Sequence, residues 1–580
     1  MNSDHASANS CHRSSSRSAH WLPAPWAATL AFSLLGCGLF LLVVPATLLA
    51  QAPSVSNPAD KVPAETAARE LSAIEAVSSM EKLLVDAIAR AEKSVVSIAR
   101  LPTERPLDLE RLGNPDILPA VPFVREPLLA EDPERPDFLP ADFASGVVID
   151  ARGLILTNYH ALKDVKRSQY IVWVARKPYP AKIKAADPWL DLAVLEIAAT
   201  DLTPMPLGNA RQLKKGQIVV SLGNPYAIAR DGEPSAAWGI ISNLSRATPV
   251  APQSRPSEGR ETLHHYGTLI QTDARLEFGS SGGAIVNLKG EMVGLTTSLA
   301  ALAGFERPGG FAIPVDDDFK RALSELKQGR LPEYGFLGVA PSLLTPDERR
   351  AGKLGARIAD VVPATPAAKA GLAMGDIVTH VGEVPVIDDL HLIRLLSGMF
   401  AGSEVTLTVE RGSSTLLNAR KLDLEVLLSK KRVDAVRPPI AEVVEPAWRG
   451  LEVDYATATT TFREQSRDLD PAGCVGIVKV ERDSPAWQAG LRPGDFITQV
   501  TIDGESTVTV DSPKQFRELV ARARGNVKFL LTAVPRENAL RIVAEAMQAV
   551  PPEKSETTPP AEATVPEDAA PVAPLPPEAI

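Results

Sequence analysis

The sequence predicts a mainly β protein, an all-β sandwich or barrel followed by two copies of a small α/β domain. Three observations predict it. Between Ala144 and Pro314 short runs rich in Val, Ile, Leu and Thr are each bounded by Gly, Asn, Asp or Pro, as strands of a sandwich or barrel are. Val361–Val378 and Val480–Ile497 share a Pro-Ala-x-x-Ala-Gly-Leu-x-x-Gly-Asp core, each followed by a helix pattern and a strand pattern. The 580 residues are too many for a single core.

Taken in order, residues 1–52 form a signal peptide or an N-terminal membrane anchor. Arg13 and Arg17 precede an apolar run from Trp26 to Ala50, and Ala50-Gln51-Ala52 fits a small-x-small cleavage site. The run is also long enough to cross a bilayer uncleaved. Both readings put the body of the protein outside the cytoplasm. Residues 64–92 form an amphipathic helix, with Leu71, Ile74, Val77, Met80, Leu84 and Ile88 at three- and four-residue steps. Packing on the next domain and an oligomer contact both fit that stripe. The all-β domain covers 93–318, beginning with a β-branched strand at Ser94–Arg100 and carrying an acidic, Pro-rich loop at 101–140. A connecting helix follows at Val315–Gly329. The duplicated domains are 330–425 and 445–535, and 550–580 is a disordered Pro/Glu/Ala tail.

Composition narrows the function. Hydrophobic content of 45% and charged content of 23% suit a globular protein. A net charge of -10 with no basic stripe argues against a nucleic-acid partner, because phosphate binding needs clustered Lys and Arg. Cys11 and Cys37 lie in the targeting region, which leaves Cys474 alone and no disulfide framework. No Cys-x-x-Cys or His-Glu-x-x-His pattern is present, so neither a metal nor a cofactor is expected.

The stretch Phe278-Gly279-Ser280-Ser281-Gly282-Gly283 reads as flexible linker or as a strained turn presenting an activated hydroxyl. The apolar strands on both sides favour the turn. A serine hydroxyl needs a base and needs backbone N–H groups aimed at the developing oxyanion. His160 ends an apolar strand; taken alone it reads as a structural histidine rather than a catalytic one. His264 and His265 close a polar stretch and read as solvated loop residues. Asp191 opens an apolar strand, where a buried carboxylate needs a donor. Asp187, before Pro188, suits a turn. The order His, Asp, Ser is one known for a catalytic triad.

These residues carry a resemblance. "SGVVIDARGLILTNYH", "DLAVLEI", "SLGNPY", "LIQTDARLEFGSSGGAIVNLKGEMVG" and "GGFAIPV" resemble, in order, the HtrA/Deg family of exported serine proteases. The resemblance spans Ser94 to Val534. It implies a chymotrypsin-like double β-barrel followed by two α/β PDZ domains, with His160 as general base, Asp191 orienting it and Ser281 as nucleophile. It also implies an oxyanion hole from Gly279, Ser280 and Ser281, and a primary substrate pocket lined by Leu276. Peptide-binding loops would be Phe336-Leu337-Gly338-Val339 and Gly450-Leu451-Glu452-Val453, which capture extended or C-terminal peptide segments. The family implies an ATP-independent endopeptidase of the periplasm or cell envelope, acting on unfolded or damaged proteins without a cofactor, as a trimer or larger homo-oligomer. Arg275, Glu277 and Phe278 depart from the family pattern, and Phe278 stands where the family turns on proline. The alternatives are a catalytically silent PDZ scaffold or holdase with a protease fold, and a hydrolase of small esters.

Overall fold

The computed structural model describes residues 64–103, 140, 142–224, 233–247, 262–277, 279–297, 310–412, 420–433, 438–443, 446–502, 506–535 and 539–544. The apolar run of residues 26–50, most of the Pro-rich loop, the C-terminal tail and Phe278 lie outside them. No helix among the described residues is long and apolar enough to cross a membrane.

Helix α1 (Ala64–Ala91) leads in. Ala87 and Ala91 are buried and Leu84 and Ile88 pack on the core, whereas Ile74 and Val77 are exposed. Among the residues whose side chains are described, the apolar stripe is therefore used only at the C-terminal end of the helix. There the Arg90 guanidinium donates to the carbonyls of Leu288 and Lys289.

Twelve strands follow and close into two barrels. The first holds β1 (Val95–Pro102), β2 (Asp142–Asp150), β3 (Leu154–Asn158), β4 (Ser168–Val174), β5 (Lys177–Asp187) and β6 (Leu192–Ile197), in the order β5-β4-β1-β2-β3-β6, and the β5–β6 pairing closes it. The second holds β7 (Ile218–Gly223), β8 (Ser235–Arg246), β9 (Leu269–Thr272), β10 (Ala284–Val286), β11 (Met292–Thr297) and β12 (Gly310–Pro314), closed by β10–β7. This is the chymotrypsin-like double barrel. Nine of these strands are those expected from the sequence. β5, β8 and β12 were not among the expected strands. β5 carries two prolines and three lysines with only its last three residues buried, and β8 has Gly, Asn and three Ser on a half-exposed face.

Helix α2 (Asp317–Lys327) occupies the expected connector, with the Asp316 carboxylate accepting from the Phe319 N–H as N-cap. Two sheets built on the same plan follow. The first has strands Val339–Ser342, Ala356–Val361, Ile377–Val381, Glu404–Arg411 and Arg420–Leu427; the second has Leu451–Tyr455, Val475–Val480, Phe496–Ile502, Val527–Thr532 and Leu540–Val543. The shared sequence core explains itself physically. Thr365 and Ser484 cap a one-turn helix that has proline at its first position. Gly371 and Gly490 take positive φ just after it, and Asp376 and Asp495 accept from the Ala373 and Arg492 N–H groups to close the next turn.

The segment between the two modules returns to the first barrel. Ile440 and Ala441 pair with Ala186 and Ala185 as a seventh strand on β5.

Candidate active site

The candidate residues lie at the cleft between the barrels. After β3 the chain enters a short 3-10 turn, Tyr159–Leu162, which carries His160. The turn before β6 carries Asp191. The carboxylate grips His160 at two points: Oδ1 accepts the His160 backbone N–H at 2.9 Å, and Oδ2 lies 2.8 Å from Nδ1. Asp191 is 2% exposed, so the carboxylate is shielded from water and its lone pairs are directed to the histidine. Thr297 Oγ1 lies 3.5 Å from Oδ2. The grip sets Nδ1 as the proton-bearing nitrogen facing Asp191, and Nε2 as the nitrogen available for proton transfer.

Asp191 adopts φ 56°, a left-handed conformation rare outside glycine. The surroundings hold it there. Its carbonyl accepts from the Tyr159 N–H at 3.1 Å and from Asn158 Nδ2 at 3.3 Å. Asp187 caps the turn as expected, accepting from the Trp189 and Leu190 N–H groups at 3.1 Å each. It also accepts the hydroxyl of Tyr334, from the start of the first α/β module. Burial, the largest influence, pushes the Asp187 carboxyl up to about 6 against those three donors.

The serine turn is built by glycine and by the first barrel. Gly279 and Gly282 have φ of 90° and 84°. A Cβ on Gly282 would stand 2.2 Å from the Ser145 carbonyl oxygen and 2.3 Å from Thr157 Oγ1, and a Cβ on Gly283 would stand 2.3 Å from the Leu222 carbonyl oxygen. The Ser281 carbonyl accepts from the Ser145 N–H at 2.8 Å, and the Gly282 N–H donates to the Thr296 carbonyl at 2.9 Å. Ser281 thus stands between two positive-φ glycines, on a turn clamped to both barrels.

Ser145 is a site residue that the sequence reading did not single out. Its hydroxyl donates to the Gly279 carbonyl at 2.7 Å and accepts the Asn224 N–H at 2.7 Å, while its own carbonyl accepts the Thr157 hydroxyl at 2.8 Å. Its position at the head of the "SGVVID" strand was the available signal.

Two expectations are corrected. Ser280 does not offer its N–H to an oxyanion: the group donates to the Glu277 carbonyl at 3.1 Å, and the Ser280 hydroxyl accepts the Glu277 N–H at 3.2 Å, closing a tight turn. His264 is not solvated. It is 1% exposed, with Nε2 3.0 Å from the Leu190 carbonyl and Nδ1 2.7 Å from Thr268 Oγ1.

Beside the serine turn lies a cavity of about 230 Å³ lined by Ser221, Gly223, Ala236, Ala237 and Leu276, with Arg275 and Glu277 paired at 2.7 Å. Leu276 thus lines a small, mainly apolar recess next to Ser280.

In the first module, the Gly338 and Leu337 carbonyls accept from Val362 and Ala367, and a Cβ on Gly338 would stand 2.2 Å from Thr365 Cβ. In the second, the same bonds run from Glu481 to Gly450 and from Ala486 to Arg449, and a Cβ on Gly450 would stand 2.3 Å from Ser484 Cβ. The counterpart of Phe336–Val339 is therefore Trp448–Leu451, two residues earlier than the expected Gly450–Val453. Glu452 and Val453 belong to the strand and pair with Lys479 and Ile477. Trp448 and Leu451 also exchange backbone hydrogen bonds of 3.0 and 2.9 Å, so the Leu451 N–H is already engaged.

Fold and cleft together define a trypsin-like peptidase carrying PDZ modules. The chain matches the family model for a trypsin-like peptidase domain over residues 144–295 and PDZ domain models over 335–427 and 476–534. It is 30% identical over 466 residues to a probable periplasmic serine endoprotease DegP-like of Pseudomonas fluorescens, covering 77% of this chain and 90% of that protein. It is 28% identical over 457 residues to the periplasmic pH-dependent serine endoprotease DegQ of Escherichia coli, covering 75% and 90%. Among solved structures, an HtrA-type protease AlgW with decapeptide aligns at 24% identity and a TM-score of 0.41, over 60% of this chain and 98% of that one. The chain belongs to the HtrA/Deg family of DegP-like serine endoproteases.

Proposed function

We propose that this chain is an ATP-independent serine endopeptidase of the cell envelope that cleaves unfolded or damaged proteins, with Ser281 as nucleophile, His160 as general base and Asp191 as its orienter. The observation that carries the reading is the two-point grip of the buried Asp191 carboxylate on His160. Ser281 Oγ attacks the scissile carbonyl while Nε2 of His160 takes its proton. The N–H groups of Gly279 and Ser281 hold the developing oxyanion. His160 then protonates the leaving amine, and water releases the acyl group by the same steps in reverse. The recess at Leu276 suits a small or medium apolar side chain before the cleaved bond.

In the same reading the peptidase domain is 93–318 and the PDZ domains are 330–425 and 445–535. Residues 1–52 carry the chain to the envelope as a signal peptide or an anchor, and the working form is a homo-oligomer, a trimer by family resemblance. The Phe336–Val339 loop captures extended or C-terminal peptide.

The test is cleavage of a permanently unfolded protein by the chain and two variants. Ser281→Ala lowers kcat by roughly 10⁴-fold or more. Ser280→Ala stays within about tenfold, as loss of one hydrogen bond to the turn implies. A parent chain that cleaves nothing, with or without a peptide for the PDZ domains, rejects the proposal.

A further inference from the structure

The peptide that precedes Asp191 is held by a second histidine. The left-handed backbone of Asp191 persists only if its neighbours over-determine it. Leu190 N–H donates to Asp187, the Trp189 carbonyl accepts from the Leu263 N–H at 2.9 Å, and the Asp191 carbonyl is taken by Tyr159 and Asn158. The Leu190 carbonyl, which belongs to the peptide that enters Asp191, has His264 Nε2 as its partner at 3.0 Å. A carbonyl only accepts, so Nε2 must carry the proton. In the neutral ring Nδ1 is then an acceptor, and the Thr268 hydroxyl 2.7 Å away is its donor. Burial lowers the pKa of the ring, which keeps it neutral and the tautomer single.

We propose that His264 is a positioning residue for the peptidase, fixing the Leu190–Asp191 peptide so that both carboxylate oxygens of Asp191 face His160. This rests on the assignment of His160 and Asp191 made above. Rotating that peptide swings the Asp191 carboxylate away from its two-point grip, and the positive charge that His160 gains in the transition state loses its counter-ion. The ionisable groups around His264 are Asp191, His265 and His160, with Asp187 on the far side of Leu190. The loop bearing His264 is itself held from the first PDZ domain, where Arg394 donates to the Gly267 carbonyl at 2.7 Å.

Two variants of the full chain separate positioning from mere packing. His264→Phe keeps ring volume without a donor. His264→Gln returns an amide N–H for the Leu190 carbonyl and an oxygen for Thr268. With a fluorogenic peptide that the parent cleaves, His264→Phe lowers kcat by roughly 30-fold, a loss of the size seen when an oriented group is displaced, with KM within about twofold. His264→Gln stays within about fivefold of the parent. The second readout needs no turnover. In the Ser281→Ala background, the NMR titration midpoint of His160 falls in the Phe variant, because a displaced carboxylate stabilises imidazolium less, and stays at the parent value in the Gln variant. If His264→Phe does not fold, Thr268→Val takes its place and gives a smaller shift of both readouts in the same direction. An unchanged His160 midpoint in the donor-less variant overturns the proposal, as does a kcat loss that glutamine fails to restore. A parent chain without activity but with the midpoint shift intact rejects the peptidase reading and leaves the positioning role standing.

Discussion

Ser145 commits its N–H and both roles of its hydroxyl across the seam between the barrels, while its carbonyl accepts from Thr157 within the first barrel. Its truncation to Ala leaves the Gly279 carbonyl and the Asn224 N–H without that partner, at a cost of about 1–3 kcal/mol per buried group. Ser145→Ala is expected to lose roughly 10- to 100-fold in kcat, with KM nearly unchanged, because Gly279 is proposed above to supply an N–H to the oxyanion. Steady-state kinetics checks this, and an unaltered kcat refutes it. Asp187 makes a different prediction. Its folded pKa of about 6 lies above the ordinary 3.8, so the native state binds this proton more tightly than the unfolded chain. The sign follows: the contribution of this group to stability grows as pH falls from about 6 to 4 and is absent above 6. Relative to Asp187→Asn, the parent should gain on the order of 3 kcal/mol of unfolding free energy between pH 7 and pH 4. Denaturant melts at several pH values measure it, and parallel curves for the two proteins refute it. At this scale the sequence was legible where a pattern is local. The glycines around Ser281 and the capping position of Asp187 are read from adjacent letters. His264 was not, because its partner Leu190 is 74 residues away and nothing near His264 announces a buried carbonyl.

At the scale of elements, strands with continuous apolar runs were read correctly because burial on both faces leaves few other options. β5 and β8 escaped because their exposed faces carry the polar residues of loops. The duplication was legible as a repeat, but the register of the second binding loop was not. The expected second loop begins on the Gly450-Leu451 pair, whereas the hydrogen bonds align Gly450 with Gly338, the third residue of the first loop. A paired substitution tests the consequence. Gly338→Ala and Gly450→Ala both force a Cβ against a neighbouring side chain at positive φ, and each should lose roughly 2–4 kcal/mol of domain stability by strain and overpacking. Only Gly338→Ala should weaken binding of a peptide with an apolar C-terminus, by tenfold or more, since the Leu451 N–H of the second loop already has an internal acceptor. Calorimetric titration decides it, and equal losses of affinity in the two variants contradict the assignment.

At the scale of the molecule, the modules meet through a few specific contacts. Trp189, one turn from Asp191, donates from Nε1 to the Ser397 carbonyl of the first PDZ domain at 3.3 Å, and Lys431 stands 3.4 Å from its ring centroid. Phe336 packs on a small apolar cluster of the second PDZ domain that includes Phe462, Cys474 and Phe496. Burial pushes the Cys474 thiol up to about 12. Because the thiolate is the reactive form, this cysteine is expected to react slowly while Phe336 covers its cluster. In a chain with Cys11 and Cys37 replaced by Ser, a thiol reagent at neutral pH should label Cys474 slowly, and Phe336→Ala should speed labelling by tenfold or more. Labelling of the parent at the rate of a free thiol disproves the closed seam.

The segment at Ile440–Ala441 has a further consequence. Under the proposed function the chain works among unfolded proteins, whose segments seek a free sheet edge, and an unpaired edge on its own barrel would template their aggregation. The returning segment fills that edge on β5 from within the same polypeptide. Its hold is reinforced by the Glu442 N–H donating to the Lys184 carbonyl and by the Tyr159 hydroxyl donating to the Pro438 carbonyl. The link between the PDZ domains is thereby also a guard, covering an edge on which another extended chain could otherwise pair.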